Sequence, residues 1–411
     1  MNTVHLNEYA RFAVRVGSNI QKGQTLIINA PVEAAYFAQL CAKAAYDAGA
    51  REVVVHYADE KMARLRVLYA EENALAKTYE WQLECYMNYI NAEGGAALLS
   101  ISSRDPEIFK NVDTRRVEVA ERALAKRLRP YKEMVMGGGT QWAIVAIPSV
   151  AWAEKVFTEK KGTEAVEALW DAIFSVCRMD SADPVEEWEK HIEKIQSYAE
   201  WLNSLQLTEI VMKSSNGTNL RVGLADEHIW CGAREYSMGG IPFLPNIPTE
   251  EVFTAPHYMK TNGRVHSSLP YSYQGGLIEG IEVEFENGKV VKSSAEKGEE
   301  LLHKLLGADA GAVRLGEIAL VPASSPIRQT GRLFYNTLFD ENAACHMAFG
   351  AGYPGTVKGG EQMDSAELMQ KGVNDSIVHE DIMIGTPDMD IVGITIDKKE
   401  VPIFINGEWA K

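Results

Sequence analysis

Apolar positions recur at helical spacing between residues 6 and 16, and the period then changes. Residues 24–31 (QTLIINAP) form a short apolar run of the kind a buried strand requires, and 32–49 is an alanine-rich helical stretch closed by Gly49. A second buried-type run, Glu52-Val-Val-Val-His-Tyr57, completes a βαβ unit. Such a unit implies parallel pairing with a right-handed crossover. The alternation continues with a helical pattern at 62–78, a strand at 96–101, a charged amphipathic helix at 112–128 and a strand at 142–147. Residues 148–205 read as mostly helical, with a break around 180–184. The pattern thus predicts an N-terminal α/β domain over residues 1–206, built on a doubly wound layer.

After residue 207 the period becomes that of strands. Residues 209–213 and 219–224 flank a polar turn with an Asn-Gly pair at 216–217, and 282–286 and 289–292 flank Asn287-Gly288 in the same way. Both read as hairpins. One helix, at 296–306, stands among short strands and Gly and Pro turns. Residues 207–411 are therefore expected to form an α+β domain rich in antiparallel sheet.

Composition narrows the function classes. The 411 residues are 46% hydrophobic and 24% charged, enough for a sizeable core. A net charge of −16 without a basic stretch argues against nucleic-acid binding, because phosphates would find no electrostatic footprint. No apolar run reaches membrane-spanning length, and the amino terminus has no signal-peptide pattern. Five scattered cysteines without a CxxC pair argue against both a disulfide framework and a thiolate zinc site. The chain reads as cytoplasmic.

Glycine clusters at 137–139 and 350–355 raise the question of a nucleotide site. The first precedes a strand and does not open a helix; the second contains Pro354 and is followed by no helical pattern. Neither has the strand–loop–helix context that sets a pyrophosphate on a helix N-terminus, so both are expected to be turns.

The chemistry-bearing residues cluster in the second domain. In Ser376-Ile-Val-His-Glu-Asp-Ile-Met383, His379 and Asp381 share one face of a strand, about 7 Å apart along it. That arrangement suits two metal ligands, and a surface ion pair is the plain alternative. Glu317 is bracketed by apolar residues in LGEIALVP, and a buried carboxylate needs a partner, either a cation or an arginine such as Arg314 or Arg328. Glu250 and Glu251 are adjacent beside a strand-like VFT, so only one of them can enter a given site. Glu341 and His346 lie in LFDENAACHMAFG, and Cys345 would face away from His346 as an apolar filler. Carboxylates with a minority of histidines and no thiolate suit a pair of Zn²⁺, Co²⁺ or Mn²⁺ ions. The other histidines, His191 among them, read as surface or packing residues.

The segments NIPTEEVFTAP (246–256), GEIALVP (316–322), LFDENAACHMAFG (338–350) and HEDIMIG (379–385) resemble the signature segments of the metal-dependent aminopeptidases known as aminopeptidase T and aminopeptidase S. The resemblance implies a dinuclear metal site with Glu251, Glu317, His346, His379 and Asp381 as ligands. Glu341 is then a further acidic ligand or a base. Tyr353 becomes a phenol near the metals, able to hydrogen-bond an oxyanion, where by itself it would read as turn packing beside Pro354. Glu250 is a possible base if the backbone bends there. Short peptides are the implied substrates and a homodimer the implied assembly. The competing readings are a cofactor-binding α/β enzyme, and a non-catalytic metal- or peptide-binding protein of the same fold.

Overall fold

A computed structural model describes residues 3–411. The chain divides into two compact units. One comprises residues up to Trp188 together with Arg234–Pro248, and the other Glu189–Ala233 with Thr249–Lys411. Instead of the single cut expected after residue 206, the division falls inside the helix Pro184–Ser204, and a short segment returns to the first unit. That return has a backbone cause: Ile144 donates to Pro245 O at 2.7 Å and Ile247 donates to Ile144 O at 3.1 Å, which ties 245–247 to the sheet edge.

The first unit is built on four parallel strands, β1 (Thr25–Pro31), β2 (Glu52–Ala58), β3 (Ala96–Ser102) and β4 (Trp142–Ala146), in the order β2-β1-β3-β4. Alternate residues of a strand face opposite layers. Ile27 and Leu98 accordingly pack with Tyr86, Tyr89 and Tyr131 from helices Trp81–Ile90 and Thr114–Met136, while helix Ala35–Asp47 covers the sheet as the β1–β2 crossover. The helical pattern at 62–78 breaks into Glu60–Tyr69 and Glu72–Leu75, since Ala70 turns extended and Arg116 bonds the Val67 and Ala70 carbonyls. The sequence pattern predicts no helix over Trp81–Ile90; none of its residues is fully buried, so its apolar stripe is weak. Gly137–Gly139 follows a helix and precedes β4 as a turn.

In the second unit, Leu207–Lys213 and Asn219–Leu224 form the expected hairpin at the centre of an eight-stranded antiparallel sheet. A second antiparallel sheet carries the candidate site. Its strands are β5 (Val252–Thr254), β6 (Leu315–Leu320), β7 (His346–Gly350) and β8 (His379–Met383), in the order β8-β7-β6-β5. Ile318, Leu320, Met347, Phe349 and Ile382 occupy one face of it and are wholly buried.

Candidate metal centre

The other face of this sheet is where the sequence places its charges, and the register explains how they meet. Glu317 pairs with Ala348, which pairs with Asp381, so the three form one row across β6, β7 and β8. Directly paired residues in an antiparallel sheet point the same way. Ala348 is therefore a small floor between two carboxylates. His346 and His379 lie two residues from Ala348 and Asp381 and share that face. His379 pairs with Gly350, whose φ of +105° suits glycine alone; a Cβ there would lie 2.0 Å from Val378 O. Phe253 pairs with Ala319 on the same face, and Glu251 precedes it by two residues.

The result is a buried acidic cluster with two imidazoles. Glu251, Glu317 and His346 each bring one ligand atom within 4.8 Å of the others, and so do Glu317, His379 and Asp381. His346 Nε2 lies 3.0 Å from Glu251 Oε2 and 3.6 Å from Glu317 Oε1. His379 Nε2 lies 3.4 Å from Glu317 Oε2 and 3.5 Å from Asp381 Oδ1. Glu317 thus turns one oxygen toward each imidazole. Its partners are these histidines and neither nearby arginine: Arg314 bonds Tyr258 O and Arg328 bonds Gly385 O.

Second contacts fix the imidazoles. His346 Nδ1 lies 3.1 Å from Ala344 O, and His379 Nδ1 lies 2.7 Å from Ala351 O. A carbonyl only accepts, so each Nδ1 carries a proton and each Nε2 is aimed at the carboxylates. Positive charge is then required between Nε2 and the oxygens, as a second proton or as a metal ion. With each Nε2 unprotonated, Glu251 Oε2 and Asp381 Oδ1 are buried oxygens that face a ring nitrogen at 3.0 and 3.5 Å with no donor between them, an arrangement that suits a cation. These residues fit divalent metal.

The electrostatics are consistent with that demand. Burial alone would lower the His346 and His379 imidazolium groups, but neighbouring acidic groups, Glu251 and Glu317 for the first and Tyr353 and Asp381 for the second, hold both well above the usual range. Burial pushes Glu251 up, with His346 opposing. Burial, with Asp381 and Glu251 adding, pushes Glu341 up much further. Asp381 is held below its usual range, since His379 outweighs its burial.

Among the remaining expected residues, Glu341 sits in a 3-10 turn, Glu341–Ala343, and stands outside both three-residue groups although it feels their charge. Tyr353 sets its ring edge-on to His379 at 4.8 Å and to Phe253 at 5.9 Å. Burial raises its hydroxyl far above the usual phenol range, and Glu317, Asp381 and Glu341 add to the shift, so the phenol belongs to the cluster. Glu250 is buried and its Oε2 faces His191 Nε2 at 3.6 Å. His191 also approaches Thr249 O at 2.8 Å. From sequence alone His191 reads as a surface or packing residue. A signal was present: it lies at helical spacing from Trp188 and Ile195, both buried. Cys345 is buried as expected, its thiol donating to Val321 O at 3.3 Å.

Comparison with known proteins identifies the family. Residues 2–409 match the family described as thermophilic metalloprotease (M29). The chain belongs to the M29 family. It is 43% identical to aminopeptidase 2 of Geobacillus stearothermophilus over 98% of this chain and 97% of that one, and 41% identical to aminopeptidase AmpS of Bacillus subtilis (strain 168) over 98% of each. The solved structure of wild-type AmpT from Thermus thermophilus superposes with a TM-score of 0.91 at 40% identity, covering 99% of both chains. As a member of the M29 family the chain is a metal-dependent peptidase, and among the described residues the side-chain groups able to hold a metal ion lie in the cluster on β5–β8. Among the described residues no helix is long and apolar enough to cross a membrane.

Proposed function

We propose that this chain is a metalloaminopeptidase that releases N-terminal amino acids from short peptides, with two divalent cations held by Glu251, Glu317, His346, His379 and Asp381. The observation that carries the reading is Glu317, whose two oxygens face two separate imidazoles, so that one carboxylate serves two ligand groups. The charge count agrees. Ionised together, Glu251, Glu317, Glu341 and Asp381 bring four negative charges beside two imidazoles, a state that two divalent cations would balance. With carboxylate and imidazole donors and no thiolate, Zn²⁺, Co²⁺ and Mn²⁺ are the suitable ions.

Bound at these residues, the cations supply the charge that acidifies a water and polarises the first peptide carbonyl. Glu341, beside the ligand groups and outside them, takes the proton of that water and passes it to the leaving amine. Glu250 supports the loop before β5 through His191 and does not act as the base. The Tyr353 hydroxyl, kept neutral by burial, donates to the oxyanion of the tetrahedral intermediate. The excess of acidic residues suits a substrate with a free ammonium terminus.

Cytoplasmic residence is supported by five free cysteines, two of them partly accessible. A homodimer is supported by the family resemblance and by the exposure of Met62, Leu65 and Tyr69 along one helix, and a solution mass of two chains would establish it. The test of the activity compares one short peptide with its N-acetylated form, before and after chelation. Cleavage of the free peptide alone, lost on chelation and restored by divalent metal, is expected. Equal rates on both peptides would point to an endopeptidase.

A further inference from the structure

Outside the ligand set, one buried polar side chain ties two parts of the metal centre together. Asn342 is fully buried, 0% exposed, in the turn that carries Glu341. Its Oδ1 accepts the backbone N–H of Glu250 at 2.7 Å. Its Nδ2 donates to Leu338 O at 3.1 Å and reaches Glu341 Oε1 at 3.5 Å. Its own carbonyl accepts from Ser325 Oγ at 2.6 Å, which holds the turn from the far side. Each amide atom has a partner of the complementary kind, so the side chain is fixed in one orientation.

The anchored peptide is the one that leads to Glu251. Pairing between β5 and β6 ends at Val252, opposite Leu320, so the sheet ladder does not hold residues 250 and 251. Without Asn342 the Glu250 N–H would lose this buried acceptor, and the peptide leading to Glu251 would keep only the holds on either side of it, His191 on Thr249 O and the paired backbone bonds of Phe253 with Cys231. The other ligand group has separate supports. His379 and Asp381 lie within β8, which pairs with β7 along its whole length, and His379 is steadied by Ala351 O.

We infer that Asn342 is a positioning residue that sets Glu251 against Glu341, and that it governs one of the two cation sites selectively, the site of Glu251, Glu317 and His346. The inference rests on the two-cation reading above. Supporting groups around metal ligands are commonly worth 10–100-fold in metal affinity.

The test is a Co²⁺ titration of the metal-free full chain, followed by calorimetry and visible absorption, for the wild type, Asn342→Ala and Glu251→Gln. Two binding steps are expected in the wild type. In Asn342→Ala one step should weaken by about 10–100-fold while the other keeps its affinity. The weakened step should be the one that Glu251→Gln loses. With cations saturating, kcat should fall while KM changes little. Asn342→Ser, a milder change, should give the same pattern in smaller measure if the alanine variant folds poorly. Gln141→Ala, which removes a buried amide from the first unit, controls for lost stability and should bind both ions normally. Two unchanged steps in both Asn342 variants, or equal weakening of both steps, would overturn the inference and leave the metal site standing. A wild type that binds no Co²⁺ would remove the metal-site reading itself.

Discussion

Two four-stranded sheets, one in each unit, both carry deeply buried positions and yet are chemically opposite. In the parallel sheet the interior is Leu26, Ile27, Ile28, Leu98, Leu99 and Val145, each at most 2% exposed. In the antiparallel sheet β5–β8, positions just as deep hold Glu317 and His346, at 4% and 1%, with Asp381 at 7%. Apolar burial of the first kind stabilises by about 25 cal/mol per Å². Burial of the second kind costs free energy unless charge is balanced. What permits it is local: Ala348 puts only a methyl group between Glu317 and Asp381, and the carboxylates of Glu251, Glu317 and Asp381 alternate with the imidazoles of His346 and His379. The first sheet is scaffold. The second is a set of donors that is incomplete without positive charge.

This contrast can be broken by single changes. Glu317→Gln has the largest expected effect: the shared carboxylate loses its charge, so bound metal should fall and peptide hydrolysis should be abolished. Full metal occupancy with full activity in that variant would show that Glu317 does not serve both groups. Tyr353→Phe comes next. It should keep metal and fold while kcat and kcat/KM both fall by about 10²–10³, the usual cost of one oxyanion donor. Near-normal turnover would return Tyr353 to a packing role beside Phe253 and His379.

Smaller effects sharpen the comparison of the two sheets. Ala348→Val and Ala97→Val each add two methyl groups to a wholly buried strand position, one in each sheet. Each should destabilise by about 1–3 kcal/mol, read from chemical denaturation. Only Ala348→Val should also lower bound metal, because only there does the added volume enter the space between two ligands. Equal metal content in both variants would mean that the floor of β7 is not shaped for the ions. The smallest change is His191→Ala, which removes the partner of Glu250 and should reduce activity by about tenfold with both ions retained.

How much of this the sequence disclosed follows from which interactions are local. The face shared by His379 and Asp381 depends only on strand alternation, so the H-x-D pattern exposed it. The depth of Glu317 followed from its apolar neighbours in LGEIALVP. Its partners did not, because they come from β7 and β8, and the arginines near in sequence point to backbone carbonyls instead. The row Glu317–Ala348–Asp381 is a matter of register, which no single strand encodes. The return of Arg234–Pro248 to the first unit was hidden for the same reason: a few irregular hydrogen bonds leave no periodic trace. Asn342 looks like any asparagine in a turn until the backbone of Glu250, 92 residues away, is brought against it.

The most direct test of the central claim is the metal content of the purified chain, measured by elemental mass spectrometry alongside hydrolysis of an unblocked short peptide. Two divalent ions per chain are expected, with activity lost when a chelator strips them and regained when Zn²⁺, Co²⁺ or Mn²⁺ is returned. Full peptidase activity at one ion per chain or none would contradict a site in which Glu317 is shared between two.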